Sequence, residues 1–276
     1  MRLLLINPNI SGSVSQLILA EASRSAPEGT TLEILTAPFG VAYIETRFEA
    51  MIGAYAVAQL AAEHYRRFDA VVVAAFGDPG LAALREVLPI PVTGLTEAAL
   101  ANATQLGRRF SVIAISQRIE PWYRDVIQAC GYGDRLASIR SLSQPLQRID
   151  AIAQDHAAAL KALAERAVRE DGADVIVLAG APLAGLARSL QGQLPVPVVD
   201  GVASAVLHAA KLVAQERAHG PQGAEPAPSK PHQGLTPAMA RLLAPRVASP
   251  PNPGVATPNP GVATSNPGVA KGKAPP

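Results

Sequence analysis

Two loops in this sequence carry residue types suited to a small-molecule site. One is Ala75-Phe76-Gly77-Asp78-Pro79-Gly80, directly after the β-formers Val71-Val72-Val73. The other is Ala179-Gly180-Ala181-Pro182, after Val175-Ile176-Val177-Leu178. Backbone amides that follow a buried strand and open a helix attract negative charge. The amides of Phe76 and Gly77 are therefore candidates for an anion nest. Asp78 has two readings: a pocket carboxylate, or a cap for the helix that begins at Pro79, with capping favoured. Asn7 and Asn9, in Ile6-Asn7-Pro8-Asn9, end the first apolar run, and Ser116 holds the matching place in the second half. Each can hydrogen-bond a substrate carboxylate or amide, and each is equally a turn-former. Glu45 and Tyr43 lie in Phe39-Gly40-Val41-Ala42-Tyr43-Ile44-Glu45-Thr46-Arg47. A desolvated Glu45 can serve as a general base; a solvent-facing acid at a helix start is the alternative. Tyr43 supplies a hydroxyl or simply packs. Glu97 and Asp200 read as mainly structural.

Several chemistries are excluded. The single cysteine, Cys130, rules out a disulfide framework and a multi-cysteine zinc site. The five histidines, His64, His156, His208, His219 and His232, have no metal-ligand spacing. Gly77-Asp78-Pro79-Gly80 has neither dinucleotide-binding spacing nor a P-loop lysine, so neither a metal nor a cofactor is expected. The net charge of +2 is set by the end of the chain. From Pro221 on there are five basic side chains and one acid, leaving 19 basic against 21 acidic before it. That body has no basic excess to attract nucleic acid. No apolar run nears the roughly 20 residues of a membrane helix, and no signal peptide is evident. A cytoplasmic protein with a small-molecule substrate is expected, and a homo-oligomer is compatible with the sequence.

The elements that position these residues alternate. Apolar runs at Leu3–Ile6, Thr31–Thr36, Val71–Ala75 and Pro91–Gly94 read as strands, with helical stretches between them, including Glu45–Arg67. The pattern restarts at Arg109. Strands are expected at 109–116, 136–142 (ending near Pro145), 175–179 and 194–199, with one long alanine-rich helix over 149–170. Leu88-Pro89-Ile90-Pro91-Val92 returns as Leu194-Pro195-Val196-Pro197-Val198, displaced by 106. Matches in one register across four strands indicate an internal duplication. The expected fold class is α/β. Two similar lobes, each a parallel four-stranded sheet flanked by helices, would be related by a pseudo-twofold, with ligand bound beyond the carboxyl ends of the strands. The first lobe is placed at 1–96 plus 201–218 and the second at 97–200. The remainder, 219–276, holds 14 of the 25 prolines and three copies of Asn-Pro-Gly-Val-Ala, starting at Asn252, Asn259 and Asn266. It is expected to be a disordered tail, apart from a short helix at Thr236–Leu243 that can dock on the body or on a partner.

Taken together, Ile6-Asn7-Pro8-Asn9, Ala75-Phe76-Gly77-Asp78-Pro79-Gly80, Glu97-Ala98-Ala99 and Pro197-Val198-Val199-Asp200-Gly201-Val202 resemble the aspartate/glutamate racemase superfamily, hydantoin-racemase-like branch. The resemblance covers residues 1 to 215. It implies a cofactor-free reaction in which two thiols face the substrate's α-carbon, one removing a proton and the other returning one. The positions that match the family's cysteines are Ala75 and Gly180, and neither transfers a proton. The resemblance therefore implies a racemase or isomerase acting at the α-carbon of a small amino-acid derivative, ureide or carboxylate by a non-thiol route, with Glu45, Asp78 or a bound water moving the proton. The alternatives are an inactive member that binds a small anion or ureide, and a one-base decarboxylase or isomerase. Asn7, Asn9, Tyr43, Ala75, Phe76, Gly77, Ser116, Gly180 and Ala181 are the expected substrate contacts.

Overall fold

The structure is a computed structural model, and it describes residues 1–143, 148–219 and 230–244. The Asn-Pro-Gly-Val-Ala repeats and the expected strand stop at Pro145 lie outside those residues. The first half runs β1 (Arg2–Asn7), α1 (Gly12–Ser25), β2 (Thr31–Thr36), α2 (Arg47–His64), β3 (Ala70–Val73), α3 (Leu81–Val87), β4 (Val92–Gly94) and α4 (Leu95–Leu106). The second half runs β5 (Phe110–Ala114), α5 (Glu120–Ala129), β6 (Leu136–Ser141), α6 (Ile152–Asp155), α7 (Ala157–Asp171), β7 (Val175–Leu178), α8 (Leu186–Leu190), β8 (Val198–Asp200) and α9 (Gly201–His219). Two four-stranded sheets result, ordered β2-β1-β3-β4 and β6-β5-β7-β8. Every strand pair is parallel. Ile6 opposes Val73 in one sheet as Ile113 opposes Leu178 in the other. β3 and β7 are fully buried, which is why both are unbroken runs of Val, Ile and Leu capped only by one Ala.

The helices that follow the fourth strands cross over. In α9, Val202, Ala205, Val206, Ala209 and Val213 pack with Leu3, Leu5, Ala70 and Val72 of the first sheet. In α4, Ala99, Leu100 and Ala103 pack with Phe110, Val112, Val175 and Val177 of the second. Each half thus completes the core of the other. An ion pair, buried on its carboxylate side, adds to this junction. Glu21 of α1, its side chain 2% exposed, accepts from Arg188 of α8 at 2.8 and 3.0 Å.

One expectation changes. The single helix over 149–170 is broken at His156, whose φ of −118° and ψ of 16° leave the helical region. The break turns Ile152 into the core beside Leu183 and Leu186, a tertiary contact that local alanine content does not report. The short helix expected at Thr236–Leu243 is present as α10 (Pro237–Leu242). Thr236 caps it, accepting from the Met239 amide at 3.3 Å. It packs on α2, with Ala238 buried and Leu242 against the cluster that holds Val57 and Ala61.

Candidate functional site

The carboxyl ends of β3 and β7 carry the two loops singled out above, and each loop reaches into the other half. Phe76 is buried in the cluster that contains Val177, Ala179 and Tyr123, its ring 4.8 Å from that of Tyr123. Ala181 is buried with Ala74 and Leu95 of the first half. Ala75 and Gly180 are the partly exposed residues at the start of each loop. Asn7 and Asn9 join the first loop through β1, since the amide of Ala74 donates to the Ile6 carbonyl at 2.8 Å. Ser116 joins the second through β5, where the amide of Ala179 donates to Ile113 at 2.9 Å.

Backbone amides dominate the available hydrogen-bonding groups. Those of Ala75, Phe76, Gly180 and Ala181 make no hydrogen bond among the described residues. The nest expected at Phe76 and Gly77 is therefore displaced by one residue. The Gly77 amide is already engaged, donating to Thr96 Oγ1 at 2.5 Å. Gly77 must be glycine twice over. Its φ is +98°, and a Cβ there would lie 2.3 Å from the Trp122 ring.

Asp78 caps a different helix from the expected one. Gly80 precedes α3, with no side-chain cap there. The Asp78 carboxylate instead accepts from the amides of Thr96 at 2.8 Å and Glu97 at 2.9 Å, which open α4. Its own φ is +48°, the only positive φ outside glycine among the described residues. Burial pushes its pKa up to about 7; the two amides oppose that rise and the nearby Glu97 carboxylate adds to it. Both oxygens are engaged and the group is buried, so it holds the first loop against α4 rather than facing a substrate. Gly94 makes room for it: a Cβ on Gly94 would sit 2.2 Å from the Asp78 Cγ.

Asp200 is the counterpart in the second half. It accepts from the amides of Val202 and Ala203, opening α9, and from Gly185 of the second loop at 2.7 Å. Burial raises its pKa as well. Glu97 pairs with Arg85 and accepts from Thr93 at 2.9 Å, and Thr93 bonds His208 at 2.9 Å. Both acids are structural, as their positions in the sequence suggested.

Asn7 is fully buried and structural in its contacts. Its amide group donates to Asn9 Oδ1, the Ser11 carbonyl and Ser15 Oγ at 3.0 to 3.1 Å. Asn9 Oδ1 also accepts from the Ser11 amide, which leaves the Asn9 NH2 as the outward donor. Ser116 Oγ accepts from the Arg118 amide at 3.3 Å, and its hydroxyl hydrogen stays available.

Tyr43 and Glu45 lie on a loop that the first half lays across the second. Ile44 packs against the second-half cluster, and Arg47 pairs with Asp125 of α5. Between those two anchors, Glu45 donates through its amide to Glu49 at 2.8 Å. Its carboxylate has no hydrogen bond or ion pair among the described residues. Burial, then Glu45 and Glu49, raise the Tyr43 pKa, and Arg118 opposes them. Arg118, not singled out by the sequence reading, acts on Tyr43 from the other half through its charge.

Neither family cysteine position offers a thiol. The one cysteine, Cys130, ends α5, and burial pushes its thiol up to about 11. Gly180 has space for a side chain, the nearest atom to a Cβ being Pro182 Cδ at 3.6 Å, but its φ is +119°. A groove of about 540 Å³ between Pro89–Pro91 and the end of α9 lies at the amino ends of the strands, away from these loops. Among the described residues no cluster of His, Cys, Asp or Glu could hold a metal ion, and no helix is long and apolar enough to cross a membrane.

Known proteins share this arrangement. Residues 3–209 match the family model described as Asp/Glu/Hydantoin racemase. A hydantoin racemase from Paenarthrobacter aurescens is 36% identical over 219 residues, covering 78% of this chain and 92% of that protein. The crystal structure of an allantoin racemase from Pseudomonas fluorescens superposes with a TM-score of 0.72 at 36% identity, covering 78% of this chain and 92% of the other. The allantoin racemase from Klebsiella pneumoniae gives 0.77 at 32% identity, covering 84% and 97%. The two parallel sheets with their exchanged helices and these matches together make this chain a member of the Asp/Glu/Hydantoin racemase family.

Proposed function

We propose that this family member binds a small ureide or carboxylate between the Ala75 and Gly180 loops and moves its α-proton with the Glu45 carboxylate instead of a thiol. The observations that carry the reading are four unengaged amides, two per loop, and an unpartnered Glu45 carboxylate next to Ile44, which packs on the buried cluster that holds Phe76. Amides aimed at a carbonyl oxygen stabilise the negative charge that develops when the neighbouring C–H is ionised. Glu45 accepts that proton, and the C–H electron pair moves toward the carbonyl. Reprotonation by Glu45 restores the same hand, whereas reprotonation by water on the other face inverts it. The hydantoin and allantoin racemases among its relatives support a cyclic ureide as substrate. No cofactor enters this route.

A second reading, binding without turnover, is favoured by Ala75 and Gly180, which place no titratable group where the family places its thiols. The test is α-proton exchange in D2O, followed by NMR on hydantoins, allantoin and free amino acids. Exchange that is lost in Glu45→Gln supports the first reading. Thermal stabilisation by one of these ligands without any exchange supports the second.

A further inference from the structure

The composition of α2 does not match its place at the surface. Between Glu49 and Glu63 the helix carries no charged residue, and only Tyr55 and Gln59 bring a polar side-chain group. A helix that is apolar on every side is ordinarily enclosed on every side. One side of α2 is enclosed, with Val57 and Ala61 packed beside Leu4 and Ile6 of the first sheet. The opposite side is open. Phe48, Met51 and Tyr55, at positions i, i+3 and i+7, form one row, and they are 68%, 61% and 47% exposed. Farther along the same side Ala62 is buried, and α10 packs on α2. The open part is thus the amino-terminal half of one helix face.

The segments beside α2 extend this face. The Phe39 ring lies 6.0 Å from that of Tyr55, and the Ile10 amide donates to the Val41 carbonyl at 3.0 Å. Phe39 and Ile10 are themselves exposed. At the roughly 150 to 250 Å² of a large side chain, the exposed fractions of these five residues amount to about 500 Å² of apolar surface. Apolar patches of that size on a monomer mark interaction sites. A stable interface takes about 800 Å² from each partner, roughly 60% of it apolar. The patch therefore supplies the apolar share of one complete interface.

We propose that this face docks a second copy of the chain, α2 against α2, about a twofold axis near Met51. A twofold contact must be self-complementary. Antiparallel helices crossing at Met51 set Phe48 of each copy beside Tyr55 of the other, so the aromatic at one end of the row meets the aromatic at the other end. Aromatic pairs of this kind carry much of the energy of an interface. No charge is buried, because α2 has none between Glu49 and Glu63. The cation at the edge, Arg47, is already paired with Asp125. A single exposed helix face offers no groove to an extended peptide, and one without a free basic side chain has nothing to draw it to an anionic lipid surface.

Sedimentation velocity of the full chain, 28.6 kDa per copy, tests the proposal across the micromolar range, with circular dichroism to show that each variant folds. The full chain should sediment as a dimer. Met51→Glu and Met51→Lys each set like charges against one another at the axis and should weaken association about a hundredfold or more. Mixed in equal amounts, the two variants should re-form the dimer, because the opposed charges then attract. Phe48→Glu combined with Tyr55→Lys in one chain should also dimerise, whereas either substitution alone should not; this second set keeps the test open should a Met51 variant fail to fold. A full chain that stays monomeric, a dimer that persists in the single variants, or a mixture no larger than its components overturns the proposal. Binding of a monomeric full chain to neutral lipid vesicles, lost in Met51→Glu, overturns it too and assigns the face to a membrane.

Discussion

Gly94 and Asp78 allow a quantitative test of how the first loop is held. Gly94 has φ −126° and ψ 168°, an extended backbone that alanine adopts freely. The atoms nearest to a Cβ there belong to the Asp78 carboxyl, with Cγ at 2.2 Å and the two oxygens at 2.3 and 2.6 Å. Gly94→Ala must push that carboxylate off the amides of Thr96 and Glu97. Two charge-assisted bonds at about 1.5 kcal/mol each put the cost near 3 kcal/mol. Asp78→Gly removes the same two bonds, and glycine suits the φ of +48°. In that background Gly94→Ala meets no carboxyl, and its cost should fall to within about 0.5 kcal/mol of zero. The coupling energy is thus about 2 to 3 kcal/mol, read from urea unfolding of the four proteins at pH 8. Additivity within about 0.5 kcal/mol would refute this account of the loop, because the two residues would then not compete for one space.

Three further outcomes follow from the same contacts. The folded-state pKa of Asp78, about 7, lies above its ordinary value of 3.8, so the folded chain holds this proton more tightly than the unfolded one. Its contribution to stability is greatest below about pH 4 and declines toward pH 7, by a few kcal/mol at most; urea midpoints across that range should show the decline, and Asp78→Asn should flatten it. Arg188→Met leaves the buried Glu21 carboxylate with only Ser25 Oγ and the more distant Arg24 and should lower stability by about 1 to 2 kcal/mol, with Glu21→Gln plus Arg188→Met recovering part of the loss; an unchanged unfolding midpoint in Arg188→Met would show the pair to be dispensable. Ala238→Asp places a charge in the buried contact of α10 with α2 and should lower Tm by several degrees, whereas an unaltered Tm would mean that α10 contributes nothing to the body.

The two sheets were legible because parallel strands buried on both faces leave uninterrupted apolar runs, and because the duplication repeats them in register. The positions at Ala75 and Gly180 were legible for the same reason: each follows such a run. The site contacts were less so. Asp78 and Pro79 together spell a helix cap, but local sequence cannot show that α4, which starts 17 residues later at Leu95, offers its amides to that carboxylate. A glycine at the end of β4, followed by Thr96 and Glu97, was the available sign of a close approach there. The engagement of the Gly77 amide by Thr96 and the seat of Trp122 over Gly77 are likewise contacts between distant segments. Arg118 was missed because a lone arginine in a turn has no pattern in the sequence.

The exchange of α4 and α9 between the sheets has a consequence for synthesis of the chain on the ribosome. The first sheet is complete once Gly94 has emerged, yet the helix that covers Leu3, Leu5 and Val72 begins only at Gly201. At the usual pace of about 5 to 20 residues per second, this apolar surface waits on the order of 5 to 20 seconds for its cover. Each half alone therefore leaves part of its core uncovered. A fragment ending before Gly201 should be retained by chaperones or precipitate, and the same fragment supplied with residues 201–219 in trans should become soluble.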